Sequence, residues 1–252
     1  MIETSRTIRK YAALVGKFLA AVLMLPGPAL LACSGWLVWH FEYGLGLPDH
    51  QKLAGISGTQ QVCSAGHGRT FVPLAEIPPL LRNAVLAEEE PDFYDRPAIL
   101  KEFALAALSN RHPRSAAITI HLAHCLMPPE CCSRGLDWSI ATLVLLDRID
   151  KIIPKDAIFE IYLNEVYLGR GNYGVADAAE YYFGKSLAEL KLEENAFIAG
   201  RATHPSPGKT QESEIRFRDL VIGRMLKAGV ISEAEAAAAK TAPLMLGKDP
   251  MR

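Results

Sequence analysis

The spacing of apolar residues in the larger part of the chain predicts a mostly helical protein. Leu81, Ala84 and Val85 recur at intervals of three and four after a pair of prolines, which predicts a helix over 80–89. The same spacing predicts further helices at about 98–110, 115–127, 136–152, 155–164, 175–182, 192–202, 212–228 and 233–240. No internal repeat or low-complexity tract interrupts this pattern. We therefore expect one mainly α domain.

A short stretch before these helices has the pattern of a small β hairpin. Val62, Phe71 and Val72 flank a glycine-bearing turn within 60–73, and a polar linker over 43–58 precedes them. We expect this hairpin to be the only β element of the fold.

An uncharged stretch near the N-terminus predicts a membrane anchor. The 22 residues from Phe18 to Trp39 carry no charge, and at ~1.5 Å per residue a helix of this length crosses a ~30 Å hydrocarbon core. The basic residues that precede it, against the single acid Glu3, are Arg6, Arg9, Lys10 and Lys17. By the positive-inside rule, the N-terminus then lies in the cytoplasm and the rest of the chain faces the periplasm.

A lipidated N-terminus is the alternative to this transmembrane helix. Pro26 and Pro28 would kink the helix, and the run from Leu30 to Cys33 has the form of a lipoprotein cleavage box. Apolar residues continue past Cys33 to Trp39, which favours the helix. Either form holds the protein at the outer face of the inner membrane.

These patterns divide the chain into four parts. We expect a cytoplasmic N-terminus over 1–17, a transmembrane anchor over 18–40, a linker with the small β element over 41–75, and a helical domain over 76–245.

Composition excludes one class of partner. The chain has 252 residues, half of them hydrophobic, with 27 basic and 28 acidic side chains and a formal net charge of −1. It therefore has no overall cationic field. The sequence also lacks a basic block with interleaved aromatic residues, the pattern that binds the phosphate backbone of a nucleic acid. We expect no binding to nucleic acid.

The cysteines leave two interpretations open. In the predicted topology Cys63, Cys125, Cys131 and Cys132 lie in an oxidising compartment, where Cys125 could pair with Cys131 or Cys132. Buried thiols without a disulfide fit the spacing equally well. Because no CxxC or HxxxH spacing accompanies them, we expect no metal site.

Three motifs carry a family resemblance. They are AEEEPDFY at 87–94, KDAIFEIYLN at 155–164, and YFGK at 182–185, and their spacing is unbroken between the last two. They resemble the peptidoglycan glycosyltransferases (glycosyltransferase family 51), which polymerise lipid II. Weaker matches at 192–200, 204–206 and 216–231 extend the resemblance over about 70–240. The resemblance implies a lysozyme-like helical domain, and we expect no transpeptidase domain after it.

Other motifs depart from the family. The Gly-Gly-Ser-Thr-Ile-Thr-Gln-Gln-Leu-Ala-Lys-Asn element corresponds to RSAAITIHLAHC at 114–125, which lacks the serine, the glutamines and the lysine. The Arg-Lys-x-x-Glu element falls on 138–142, so that Thr142 stands where the family has its second catalytic Glu. Within the first motif, Glu90 replaces an Asp and Arg96 replaces a His.

The resemblance implies a role for individual residues. Glu89 matches the general base that removes a proton from the acceptor sugar. The residues expected to bind substrate are Glu90, Phe93, Arg114, Thr119, His121, His124, Glu160 and Asn164, with Arg114 and His124 as partial substitutes for the lost phosphate-binding groups. A divalent cation, Mg²⁺ or Mn²⁺, is the cofactor that the family chemistry implies. The implied partners are lipid II, the nascent glycan strand, membrane lipid and other proteins of cell-wall synthesis.

The sequence leaves three functions open. Glu89 and the intact later motifs favour a working but divergent glycosyltransferase. The altered motifs favour a catalytically impaired pseudoenzyme that binds lipid II, glycan or a cell-wall protein. A lysozyme-like hydrolase is a third alternative, because that fold also supports hydrolysis with a carboxylic acid.

Overall fold

The structure is a computed structural model, and it describes residues 27–58, 62–63, 69–109, 116–129, 131, 135–206 and 210–247. The chain divides into two compact units, one formed by Met1–Asp49 with Met127–Leu145 and the other by His50–Leu126 with Leu146–Arg252. Among the described residues there is no β strand, and one isolated bridge joins Tyr167 to Tyr173. The prediction of a mainly helical domain is therefore confirmed.

From Pro79 onward, the helices agree with the predicted ones to within two residues at each end, whereas His50–Ala54 is helical inside the segment predicted as a linker. The described residues form the following helices. They are α1 (Gly27–Trp39), α2 (His50–Ala54), α3 (Pro79–Glu89), α4 (Ile99–Leu108), α5 (Ala117–Leu126), α6 (Leu136–Ile152), α7 (Lys155–Glu165), α8 (Val175–Phe183), α9 (Leu192–Thr203), α10 (Gln211–Lys227) and α11 (Glu233–Thr241). A π-helical turn covers His40–Gly44, and 3₁₀ turns cover Leu74–Glu76 and Leu187–Glu189.

In the smaller unit, α1 carries part of the predicted membrane anchor. Leu31, Trp36, Val38 and Trp39 on this helix are more than half exposed. Of the helices in the described residues, none has the length and hydropathy needed to span a bilayer. Residues 18–26 of the predicted anchor and the basic residues before it lie outside the described part of the chain.

Helix α9 is the centre of the larger unit. It packs against α3, α8 and α10, and every residue from Glu193 to Arg201 is buried. Gly200 lets α10 come close, because a Cβ at this position would lie 3.0 Å from a methyl group of Val221. Helix α3 contacts both α9 and α10, so this packing holds the C-terminal end of α3 in place within the unit.

The segment before α3 lies along α7 through side chains rather than through a partner strand. We call residues 62–63 and 69–74 the strap. Its backbone N–H groups donate to three polar side chains of α7. The pairs are Leu74 with Glu160 (2.5 Å), Val72 with Asn164 (2.8 Å), and Val62 and Cys63 with Glu165 (2.7 and 2.6 Å).

The predicted hairpin is therefore not present in the described part of 60–73. The carboxylates and the amide of α7 already accept the N–H groups that a strand ladder would need. Residues 60, 61 and 64–68, which include the predicted turn, lie outside the described residues.

The disulfide prediction was wrong in its partner. Cys125 on α5 is bonded to Cys63 in the strap, a separation of 62 residues in sequence, and not to Cys131 or Cys132. Glu165 holds the backbone N–H of Cys63, which brings this cysteine to α5. Cys132 lies outside the described residues.

Candidate active site

Glu89 is the last residue of α3. The helix ends there because Glu90 has an extended backbone (φ −157°) and Pro91, which has no N–H to donate, follows it. The Glu89 side chain is partly buried, and its carboxylate accepts a hydrogen bond from the hydroxyl of Tyr162 on α7. The end of one helix and the side of another thus hold the predicted base.

The surroundings of Glu89 make it a stronger base than an exposed carboxylate. Burial raises the pKa of Glu89 above its usual value, and the neighbouring carboxylate of Glu88 raises it further, while Tyr162 and Arg224 oppose the shift. Burial also raises the pKa of Tyr162 well above its usual range, so this phenol keeps its proton and donates it to Glu89.

Glu88 occupies the opposite kind of environment. Its side chain is only 1% exposed, and one carboxylate oxygen accepts hydrogen bonds from the guanidinium of Arg224 on α10 and from the hydroxyl of Thr203 on α9 (2.8 Å). The other oxygen, Oε2, is buried and has no hydrogen-bond partner. Glu88 joins the ends of three helices beside Glu89.

Glu90 points into the core rather than toward the surface. It is fully buried, and it accepts hydrogen bonds from Nε of Arg96 (2.5 Å) and from the backbone N–H of Ile118 (3.4 Å). Burial raises the pKa of Glu90, although Arg96 opposes that shift. The replacement of the family's Asp by Glu thus comes with a replacement of its His by the arginine that pairs with it.

Arg96 joins this carboxylate to two other elements. Its guanidinium donates to both carboxylate oxygens of Asp150 on α6 (3.0 and 2.9 Å) and to the hydroxyl of Thr119 on α5 (2.9 Å). Lys155 donates to the same Asp150 at 3.0 Å. Burial works against ionisation of Asp150, but the hydrogen bonds from Arg96 and Lys155 outweigh it and lower the pKa of Asp150. The cluster therefore contains two carboxylates, Glu90 and Asp150, and two cations, Arg96 and Lys155.

Phe93 packs beneath this cluster. It is fully buried, its ring lies 5.1 Å from that of Tyr94 and 5.8 Å from that of Phe159, and the ammonium of Lys155 lies 4.7 Å from its centroid. The Tyr94 hydroxyl donates to Asp156 at 2.9 Å. The aromatic pair of the motif therefore joins the turn after α3 to α7.

The histidines predicted on α5 differ in position. His121 lies edge-on to the ring of Tyr162, with ring centroids 5.3 Å apart, and its Nε2 lies 3.7 and 3.8 Å from the two sulfurs of the disulfide. Burial lowers the pKa of His121 to about 4, so its imidazole is neutral near pH 7. His124 is exposed on the same helix, and Arg114 lies outside the described residues.

Two predicted substrate-binding residues are engaged with the strap. Asn164 is buried and exchanges two hydrogen bonds with the backbone of Val72, and Glu160 accepts from the N–H of Leu74. Glu160 also lines a cavity of about 480 Å³ together with Arg82. In this arrangement both side chains hold the chain's own backbone, and a substrate role for them stays a prediction.

Thr142 stands at the position of the family's second catalytic Glu, and its side chain is a hydroxyl rather than a carboxylate. Thr142 donates its hydroxyl to the carbonyl of Trp138 one turn earlier on α6, at 2.8 Å. A threonine hydroxyl does not ionise near pH 7 and here bonds within its own helix.

A separate cavity of about 780 Å³ lies beside α8. Thr70, Asp177, Tyr181 and Lys185 are among the residues that line it, and none of the predicted site residues does so. We therefore place the candidate site by the chemistry around Glu89 rather than by the size of this cavity.

Comparison with known proteins decides the family. Residues 57–226 match the family described as Transglycosylase. The chain belongs to this family, glycosyltransferase family 51. A Cupriavidus necator protein assigned as a transglycosylase is 36% identical over 235 residues, which cover 89% of this chain and 94% of that protein.

Longer relatives, named penicillin-binding protein 1A, are also similar to the chain. Penicillin-binding protein 1A of Rickettsia felis is 32% identical over 90% of this chain and 31% of its own length, and that of Escherichia coli is 37% identical over 66% and 20%. The crystal structure of penicillin-binding protein 1A from Haemophilus influenzae aligns with a TM-score of 0.43 at 28% identity, over 71% of this chain and 18% of that one. The chain thus spans about a third or less of these relatives.

Several residues around Glu89 and Arg96 were not predicted from the sequence. The sequence analysis gave no role in the site to Tyr162, Glu88 or Asp150. One signal was available for Glu88, since it directly precedes the predicted base. The pairing of Arg96 with Asp150 could not be predicted from a local pattern, because the two residues are 54 positions apart in sequence.

Proposed function

We propose that the protein is a peptidoglycan glycosyltransferase-like enzyme that acts on lipid II, with Glu89 as general base. The observation that carries this proposal is the contact between Glu89 and Tyr162 at the end of α3. A buried phenol that stays protonated orients the carboxylate, and burial strengthens it as a base. The site therefore keeps what is needed to remove a proton from a sugar hydroxyl.

In the proposed reaction, Glu89 takes the proton of the 4-hydroxyl of lipid II. That oxygen attacks the anomeric carbon of the lipid-linked strand, and the bond to the undecaprenyl pyrophosphate breaks. Tyr162 donates one hydrogen bond to the carboxylate, and a carboxylate has further lone pairs that can accept the proton. A base whose pKa lies nearer the working pH takes the proton more effectively.

The leaving pyrophosphate needs positive charge. Arg224 is about half exposed next to Glu89 and is the cation that the described site offers. In the described residues, the groups able to converge on a metal ion are Cys63, His121 and Cys125, and not the carboxylates around Glu89. A divalent cation, Mg²⁺ or Mn²⁺, stays part of the proposal, because such an ion is commonly held by one or two carboxylates together with the phosphates of a substrate. No step above depends on it.

A second candidate is a protein that binds lipid II without polymerising it. Thr119 is fully buried and its hydroxyl is bonded to Arg96, while the Thr142 hydroxyl is bonded within α6. Neither contributes to neutralising a leaving group. Loss of one such stabiliser typically costs about 10²–10³ in rate, so we expect activity far below that of family members with intact motifs.

Attachment to the inner membrane is part of the proposal. The uncharged run from Phe18 to Trp39 and the exposed Leu31, Trp36 and Trp39 of α1 support a single-pass anchor with the helical domain in the periplasm. The proposed partners are lipid II, the glycan strand, membrane lipid and other proteins of cell-wall synthesis.

The test is a polymerisation and binding assay with labelled lipid II and the detergent-solubilised protein. We expect slow polymer formation that Glu89→Gln reduces by about 10²–10⁴, with lipid II binding retained. Glu180→Gln, at an exposed position on α8, is the matched control. Binding without polymer would favour the second candidate, and soluble sugar fragments would favour a hydrolase. Robust polymerisation that ignores Glu89→Gln would refute the assignment.

The altered motif can be tested by restoring a carboxylate. Thr142→Glu should recover little polymerisation in the same assay, because residues that act as a unit are not additive and the glutamines and cations of the family are still missing.

A further inference from the structure

Two sulfurs and an imidazole meet at one point between the strap and α5. Nε2 of His121 lies 3.7 Å from Sγ of Cys63 and 3.8 Å from Sγ of Cys125. All three atoms lie within 4.8 Å of one another. In the structure the two sulfurs are bonded to each other, so the group is a disulfide with an imidazole against it.

The two sulfur–nitrogen distances are those of a tetrahedral metal site. With Zn–S about 2.3 Å and Zn–N about 2.0–2.1 Å, tetrahedral geometry places a sulfur about 3.6 Å from a nitrogen and two sulfurs about 3.8 Å apart. Both distances to His121 are already close to that value. Only the two sulfurs must move apart once the bond between them is broken.

The backbone positions of these ligands do not depend on the disulfide alone. His121 and Cys125 are four residues apart on α5, so they project from the same face of one helix. The N–H of Cys63 is bonded to Glu165 at 2.6 Å, and Glu165 is paired with Arg69 at 3.1 Å. Cys63 therefore stays next to α5 when the disulfide is reduced.

We propose that Cys63, His121 and Cys125 form a zinc-binding site in the dithiol form of the protein. A dithiol reductant donates two electrons and two protons to the Cys63–Cys125 disulfide and becomes a disulfide itself. Zn²⁺ then binds both sulfurs as thiolates and releases their two protons to solvent, with a fourth position open to water. Metal and disulfide thus hold the strap to α5 in alternative states.

The site does not depend on glycosyl transfer, and binding measurements alone test it. The full-length protein with Cys33, Cys131 and Cys132 changed to Ser is compared as oxidised protein and after reduction with dithiothreitol and its anaerobic removal. Zinc affinity and stoichiometry are measured by competition with a chromogenic chelator. Co²⁺ serves as an optical probe of tetrahedral thiolate coordination.

We expect the reduced protein to bind one Zn²⁺ per chain and the oxidised protein to bind none at that site. His121→Ala and His121→Gln should each weaken zinc binding at least about 10-fold, the loss that even an outer partner of a metal ligand causes. His124→Ala, exposed on the same helix, should leave it unchanged. Circular dichroism of the oxidised variants shows whether they are folded.

Three results would overturn the proposal. They are reduced protein that binds no stoichiometric zinc, oxidised protein that binds it equally well, and folded His121 variants with wild-type affinity. Cys63→Ser gives a further check, because it cannot form the disulfide and should still fail to bind zinc tightly.

Discussion

Glu88 and Glu89 are neighbours in sequence with different environments. Glu88 is bonded to Arg224 and Thr203 with a side chain that is almost fully buried, while Glu89 receives one hydrogen bond from Tyr162. Two carboxylates with separated roles are a common arrangement in sites that transfer protons. Here one positions a cation, and the other is the proposed general base.

Opposite pH shifts are expected when the neighbours of Glu89 are changed. Tyr162→Phe removes a hydrogen bond that lowers the pKa of Glu89, so the acid limb of kcat/KM should move to higher pH. Glu88→Gln removes a negative charge that raises the pKa of Glu89, so the limb should move to lower pH. The measurement is the pH profile of lipid II polymerisation, supported by a carbon-13 titration of the labelled carboxylate.

Glu180→Gln is the control for this pair, because Glu180 is exposed on α8. Its profile should match that of the wild type. Shifts of the same sign in Tyr162→Phe and Glu88→Gln would contradict the arrangement around Glu89.

At the scale of elements, Arg96 is the residue that joins the end of α3 to α5 and α6. It is almost fully buried, and all three of its nitrogens donate to protein oxygens. The turn that follows the proposed base is therefore rigidly tied to the helices behind it. Removing the guanidinium leaves Glu90 and Asp150 buried without their main partner.

Arg96→Met should destabilise the domain by about 3–5 kcal/mol, which is the usual cost of breaking a buried ion pair. Chemical denaturation of the detergent-solubilised protein measures this change. Lys151→Met is the matched control, since its ammonium is mostly exposed in a pair with Asp147 and the loss should be below about 1 kcal/mol. Equal effects of the two substitutions would show that the buried cluster adds nothing.

The pH dependence of this stability has a defined sign. Arg96 and Lys155 lower the folded pKa of Asp150, so the stability they provide is present above the unfolded pKa of about 3.9. It is lost as the pH falls through the lower folded value. The difference between wild type and Arg96→Met should therefore shrink in strongly acidic solution.

The strap depends on α7 side chains, and Asn164 gives the clearest test. Asn164→Ala leaves the N–H and the carbonyl of Val72 without partners, which should cost about 1–3 kcal/mol. Hydrogen exchange at Val72 should become faster. Exchange at Cys63, which Glu165 and the disulfide hold, should change little, and uniform acceleration along the strap would contradict this local role.

At the scale of the whole molecule, the charges before the uncharged run at 18–39 predict the membrane topology. A periplasmic reporter fused after Arg252 should be active and a cytoplasmic reporter at the same place inactive, because the basic residues before Phe18 favour an N-in orientation. The reverse pattern would remove the proposed cell-wall function. Fusion after Lys17 is the control, and its reporters should show the opposite activities.

The sequence by itself determined the helices and the family. Periodicity alone located α3 to α11 to within two residues, since each helix buries one face and its apolar spacing records that face. The motifs at 87–94 and 155–164 led to the transglycosylase family because they are local and nearly intact. Local signals of this kind need no knowledge of what packs against them.

Only the tertiary structure decided which distant residues contact each other around the site. Cys63 and Cys125, Arg96 and Asp150, and Asn164 and Val72 are each far apart in sequence, so no local pattern predicts their contacts. The hairpin was predicted from strand-forming residues. In the structure, the N–H groups of the strap donate hydrogen bonds to side chains of α7 rather than to a partner strand. Hydrogen bonds between distant segments form only where the packing of whole helices brings donor and acceptor within reach.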